Sequence, residues 1–313
     1  MPLENYMELP SAYGSIMFAK NSVRPFMDHD CQDTLVEFET AAGSGRFSDK
    51  VFHIQKCSTC GLGFTNPIPT EETSYLLYET RESNDFQPDD SSLAARLKAI
   101  AARRDVHGFL RKLELPKGPA LDYGCGNAAF TVALREAFPN SQVIGADMQQ
   151  QPPKALAQSQ YRSYAELAKM SGQYSIILCR HVLEHSYDPV GQLTKLSDLL
   201  MPGGVLVVEV PSLETKARVL FGKYWDGYYV PFHPIHFTRE ALRKAFLAAN
   251  FSVIREGGAE MPKMGRSLQN FLDCKYNVGM FALGMLLHPV QIGIGLATDT
   301  SVCLRIWGRK TAK

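Results

Sequence analysis

Three groups of residues have types and spacings that could do chemistry. The first lies in GPALDYGCGNAAFTVALREAF, Gly118 to Phe138, where Asp122 precedes Gly124 and Gly126 and a helical apolar pattern starts at once. A strand that stops at a tight glycine turn beneath a helix start is a nucleotide-site pattern: backbone N–H groups converge there, and glycine lets a ligand approach the main chain. The second group is histidine. His181 and His185 lie in CRHVLEHSYDP, His233 and His236 in the Pro- and aromatic-rich GYYVPFHPIHFT, and His288 near the chain end. A side chain that titrates near neutrality suits removal of a proton from an acceptor, although buried histidines held by backbone partners fit the same positions. The third group is CSTCGLGFTNPIPTEE with Cys57 and Cys60, preceded by DHDC with Cys31 and either His29 or Asp28. Two cysteines two residues apart can grip a tetrahedral zinc from a knuckle turn, and a metal-free knuckle is the alternative.

These residues need elements to position them. Short β-rich runs (ALDY, QVIGAD, YSIILC, VLVVEV) alternate with helical patterns (AAFTVALREAF, PVGQLTKLSDLL, REALRKAFLAAN). That alternation predicts a doubly wound α/β fold, a Rossmann-like, mostly parallel sheet covered on both faces. FSVIREG and TSVCLRIWGRK add two β-like runs near the end, and SLAARLKAIAARRDVHGFLRKLEL precedes the first strand as a helix. The Gly/Ser-rich AAGSGRFSD and the polar ESNDFQPDDSS break up the first 90 residues, which read as an N-terminal arm and Cys-containing module. Residues 91–313 read as the α/β domain, with a helical insertion at about 262–298.

Composition bounds the partners. With 33 basic and 32 acidic residues the formal net charge is +1, which offers no electrostatic footprint for nucleic acid. Seven cysteines without framework spacing, and an N-terminus lacking a signal pattern, lead to the expectation of a reducing cytoplasmic setting. The segment from Gly279 to Ala297 has no Asp, Glu, Lys or Arg, but Pro289 and its glycines divide it. The expectation there is a short helical insertion in two pieces, serving as a lid or dimer contact on a monomer or homodimer. A large exposed apolar patch would instead point to a membrane surface.

Charge addresses the choice of nucleotide. A fixed carboxylate at Asp122 is unhelpful to a pyrophosphate and useful to the sulfonium and ammonium of S-adenosylmethionine, while Asp147, at the end of QVIGAD, could hold a ribose in either ligand. The ordered set from Leu121 through YSIILCRHVLEHSYDP and MPGGVLVVEVPS to HFTREALRKAF resembles class I S-adenosylmethionine-dependent methyltransferases, in the branch with a cysteine-containing, zinc-ribbon-like N-terminal module related to sugar C-methyltransferases. The resemblance implies a seven-stranded sheet and a transferase acting on a small-molecule or glycan-like acceptor. It implies that Asp122, Tyr123, Gly124, Cys125 and Gly126 form the cofactor loop, with Ala128 as the third small position. It places Asp147 and Met148 at the ribose, Ser163 and Tyr164 at the adenine, and Cys179, Arg180 and His181 at the methionyl group. It also matches His233 to a loop histidine, with His236 and His181 as further catalytic candidates. The acceptor group it implies is a hydroxyl rather than a carbon acid, because Val230 and Phe232 replace the expected tyrosine and glutamate. Cys31, Cys57, Cys60 and His29 would hold a structural zinc. A nicotinamide-dependent oxidoreductase and a catalytically silent S-adenosylmethionine-binding relative are the competing readings.

Overall fold

The computed structural model describes residues 6–11, 14–19, 25–26, 29–31, 34–41, 51–79, 93–274 and 278–311. The stretch ESNDFQPDDSS lies outside them, as does AAGSGRFSD beyond Ala41. Seven strands form the central sheet: β1 (Ala120–Tyr123), β2 (Val143–Asp147), β3 (Tyr161–Ser163), β4 (Tyr174–Arg180), β5 (Leu200–Pro211), β6 (Phe251–Ala259) and β7 (Cys303–Lys310). Their order is β3-β2-β1-β4-β5-β7-β6. β3, β2, β1, β4 and β5 pair in parallel, and β7 runs antiparallel between β5 and β6. β3, only three residues long, has no counterpart among the predicted strands; so short a run carries no periodicity to read.

The pleat sorts the core. In β4, Ile176 and Leu178 face a layer built by Val106 and Phe109 of helix α1 (Leu93–Leu110) and Leu134 of α2 (Ala129–Ala137). Ile177 and Cys179 face the opposite layer, where Leu193 and Leu196 of α4 (Pro189–Leu199; the short α3 spans Tyr164–Leu167) meet Leu242 and Phe246 of α5 (Arg239–Ala248). Each such side chain, fully buried, stabilises by roughly 1.5–3 kcal/mol relative to exposure. The caps explain where the helices start. Asp188 accepts from Gly191 N at 2.8 Å with Pro189 at the first helical position, and the Thr238 hydroxyl accepts from Ala241 N at 3.1 Å.

The cysteine module joins this core. Strands Thr34–Ala41, Val51–Cys57 and Gly63–Asn66 form a sheet whose fourth strand, Ile235–His236, comes from the histidine loop. Cys31, Cys57, Cys60 and Leu62 pack in the same cluster as Ile235 and Phe237.

The apolar segment departs from expectation. Helix α6 (Met264–Leu272) is followed by a single 21-residue helix, α7 (Val278–Thr298), which runs through Pro289 rather than dividing there. Proline at that position costs one backbone hydrogen bond, and continuity on either side carries the helix across. Only 11% of its apolar window from Gly279 to Thr298 is buried, so α7 is one long, largely exposed helix where two short pieces were expected.

Candidate active site

The glycine turn follows β1. Gly124 and Gly126 have φ of +79° and +51°, the left-handed region that glycine enters without strain. A Cβ on Gly124 would lie 2.1 Å from Val182 Cγ2, whereas one on Gly126 would meet nothing within 4 Å. Packing therefore requires glycine at position 124, while Gly126 borders open space. Asp147 holds the turn from the end of β2: Gly126 N donates to its Oδ2 at 2.9 Å and Met148 N to its Oδ1 at 2.7 Å. Met148 beside it is 56% exposed, an apolar surface at the rim of that space.

Several residues assigned to the cofactor turn elsewhere. Asp122 is buried, accepts from the Thr131 hydroxyl at 2.6 Å, and has its pKa pushed up to about 6 by that burial. Its side chain secures α2 from below the loop. The Cys125 thiol packs with Leu156 and Tyr161, and Cys179 is wholly buried. The Ser163 hydroxyl donates to Glu166 Oε2 at 3.0 Å within a capping box, so it serves α3. Tyr123 and Tyr164 stack with centroids 4.3 Å apart and line a cleft of about 690 Å³ with Gln192 and Lys195. Arg180 stacks on Phe130 at 3.4 Å and donates to Glu209 Oε1 at 2.6 Å, which commits it to a buried ion network with Arg305 and Asp105.

Histidines converge beyond the end of β4. His181, in the left-handed region at φ 54°, places Nδ1 3.3 Å from Glu184 Oε1 and Nε2 3.3 Å from Glu209 Oε1. Burial alone would lower its pKa, but the two carboxylates outweigh burial and raise it. His233 Nε2 lies 3.9 Å from the same Glu184 oxygen. Burial first, and then the presence of the neighbouring basic groups, Lys263 and the other histidines among them, hold His233 well below the ordinary range, so its ring is neutral. His185 stands edge-on to His233 at 4.7 Å, with Nδ1 2.8 Å from Phe232 O and 2.9 Å from the Tyr78 hydroxyl. Glu184 is 1% exposed, and its Oε1 is the atom that both His181 and His233 approach. His236 is drawn away from this cluster: its Nε2 pairs with Thr65 Oγ1 at 2.8 Å, and burial lowers its pKa to about 3. His288 sits on α7 near Gln291, and Trp225 fills the core beneath the loop.

Neither Glu209 nor Glu184 is among the site candidates that the sequence offers. The signal for Glu209 was an acid inside the apolar run VLVVEV. Glu184 carried none, since its burial depends on the fold.

At the knuckle, Cys31 Sγ lies 3.5 Å from Cys60 Sγ, and the three thiols of Cys31, Cys57 and Cys60 fall within 4.8 Å of one another. Gly61, at φ +77°, makes the turn, with its N–H donating to Cys57 O at 3.0 Å. Three converging buried thiols suit a zinc ion. The His29 side chain lies outside the described residues.

A doubly wound sheet with a glycine turn after β1 and an acid ending β2 defines a nucleotide-binding α/β protein. Residues 93–256, more than half of the 313-residue chain, match a family model described as a methyltransferase domain, and the chain belongs to that family. It is similar to trans-aconitate 2-methyltransferase of Sinorhizobium fredii, with 30% identity over 103 residues, 31% of this chain and 40% of that protein. It is also similar to ubiquinone biosynthesis O-methyltransferase of Pseudomonas aeruginosa, with 27% identity over 205 residues, 61% of this chain and 78% of that protein. Against two trans-aconitate relatives the match spans only 40% and 44% of their length. Among solved structures, 1,6-didemethyltoxoflavin-N1-methyltransferase of Burkholderia thailandensis, with S-adenosylhomocysteine bound, aligns at TM-score 0.48 and 14% identity over 87% of this chain and all (100%) of that one.

Proposed function

We propose that the protein transfers a methyl group from S-adenosylmethionine to a hydroxyl of a small-molecule or glycan-like acceptor, with His181 as the general base. One observation carries the base assignment: His181 sits between Glu184 and Glu209, 3.3 Å from each, with its side chain 27% exposed. His233, the loop histidine first expected in this role, is buried and held neutral. It supports the base by sharing Glu184. The family match supports methyl transfer, and the O-methyltransferase among the relatives supports an oxygen acceptor.

The residues present fit the cofactor. The open space at Gly126, the two-oxygen clasp of Asp147 on the turn and the exposed Met148 form a cradle for a nucleoside. S-adenosylmethionine supplies an electrophilic methyl on a positively charged sulfur. His181 takes the hydroxyl proton on Nδ1 while Nε2–H faces Glu209, and Glu184 and Glu209 stabilise the imidazolium that results. At the knuckle, Cys31, Cys57 and Cys60 would hold a structural zinc, which would brace the strand that pairs with the histidine loop.

The test is transfer of a labelled methyl group over a panel of hydroxylated acceptors, with variants of the cluster. His181→Ala lowers turnover by about 10²–10⁴-fold with little change in S-adenosylmethionine affinity. The base works unprotonated, so activity rises as pH passes upward through the raised His181 pKa. Glu184→Gln removes one of the anions that raise it and moves the acid limb of the kcat/KM profile to lower pH. A limb that stays in place would assign Glu184 a packing role and overturn the pairing.

A further inference from the structure

We infer that the protein docks on the surface of an anionic lipid bilayer through the outer face of α7. Gly279–Thr298 has a mean hydropathy of 1.6, and the interval from Gly279 to Ala297 has no charged side chain. Its exposed positions recur every three or four residues, at Ala282, Leu286, Val290, Gly293 and Leu296, with Leu286 73% and Leu296 81% exposed and Met285 beside them. The stripe runs over roughly 21 Å of this 21-residue helix. The patch continues beyond the helix. Val219 and Leu220 are exposed on the turn Lys216–Leu220, which packs against α7, and Phe271 and Leu272 are exposed at the end of α6.

The inner face shows how the helix lies. Gln291 is buried there, donating to Glu260 Oε2 at 2.8 Å and to Met261 O at 2.9 Å, and accepting from Lys263 N at 3.1 Å. A Cβ on Gly265 of α6 would stand 2.8 Å from Gly284 Cα, so the two backbones touch. A glutamine clasped by a carboxylate cannot face hydrocarbon, and β7 returns the chain into the sheet, between β5 and β6, within a few residues of Thr298. The helix therefore lies flat, with its apolar face in the interface and its polar clasp toward the protein.

Charge selects the occupant. The turn that packs against α7 carries Lys216 and Arg218, the next turn carries Lys223, and Arg266 lies exposed on α6. Together they outnumber the exposed acids at the edges, Glu214 before the turn and Asp273 and Asp299 at the helix ends. Anionic headgroups complement such a rim. A second copy of the chain on a two-fold axis would bring a like-charged rim against it.

The experiment is flotation of the full chain with vesicles of phosphatidylcholine and phosphatidylglycerol, or of phosphatidylcholine alone. The protein floats with the anionic vesicles at least about tenfold more than with the neutral ones, and added salt weakens binding. The double substitution Leu286→Glu/Leu296→Glu, at two solvent-facing positions, keeps the wild-type melting temperature and loses flotation by more than about tenfold. Three results would overturn the inference: protein that stays down with both vesicle types, a double variant that floats like wild type, or a dimer in light scattering that the double substitution splits. Protein that resists alkaline extraction from anionic vesicles would overturn the flat placement.

Discussion

At the scale of single residues, the two acids of the cofactor loop have separated roles. Asp147 holds the glycine turn with both oxygens, through Gly126 N and Met148 N. Asp147→Ala therefore loosens the cradle and removes a charge-assisted acceptor. The expected result is S-adenosylmethionine affinity weakened about 10- to 100-fold in calorimetric titration. Asp122, by contrast, is buried against Thr131 with its pKa raised to about 6. A carboxyl raised on folding contributes stability that is fully present below its unfolded pKa, near 4, and lost as pH climbs through about 6. Asp122→Asn keeps an acceptor for the Thr131 hydroxyl and removes the buried charge. It should raise stability at pH 7.5 by about 1–3 kcal/mol, with the gain vanishing near pH 4 in paired thermal melts. The sequence showed that both positions matter, because an acid at a strand end is visible as a letter. Which way each side chain points is set by the helix above it, and no spacing rule contains that.

At the scale of elements, β1, β2, β4, β5 and the closing antiparallel pair were legible because each is an apolar run bounded by turn residues. The continuity of α7 was not. Pro289 and the glycines signal breaks by local propensity, yet the helix persists because Gly265 and Gly284 let α6 and α7 meet backbone to backbone and Gln291 clamps the far half. The knuckle was legible from Cys57 and Cys60, and the fold supplies Cys31 as the third thiol. If it holds zinc, the purified protein contains about one ion per chain by elemental analysis, and Cys57→Ser together with Cys60→Ser abolishes it. A metal-free preparation with an unchanged melting temperature would assign the knuckle to packing alone.

At the scale of the whole molecule, the histidine cluster could not be read from the sequence. His181 and Glu184 come from the loop after β4, Glu209 from β5, His233 from a later loop and Tyr78 from the N-terminal module. Their meeting is a property of topology, since β4 and β5 are neighbours and the module pairs a strand with the loop. The same pairing orders the loop in advance. Thr65 Oγ1 donates to His233 O at 2.6 Å, Thr65 N donates to Pro234 O at 3.0 Å, and Ile235 and His236 pair with Phe64 and Gly63. Fixing the backbone of one residue costs about 1–2 kcal/mol in lost conformational freedom. Here that cost is met when the chain folds, so a molecule arriving beside His233 meets a wall already ordered, and its affinity is not reduced by having to freeze one.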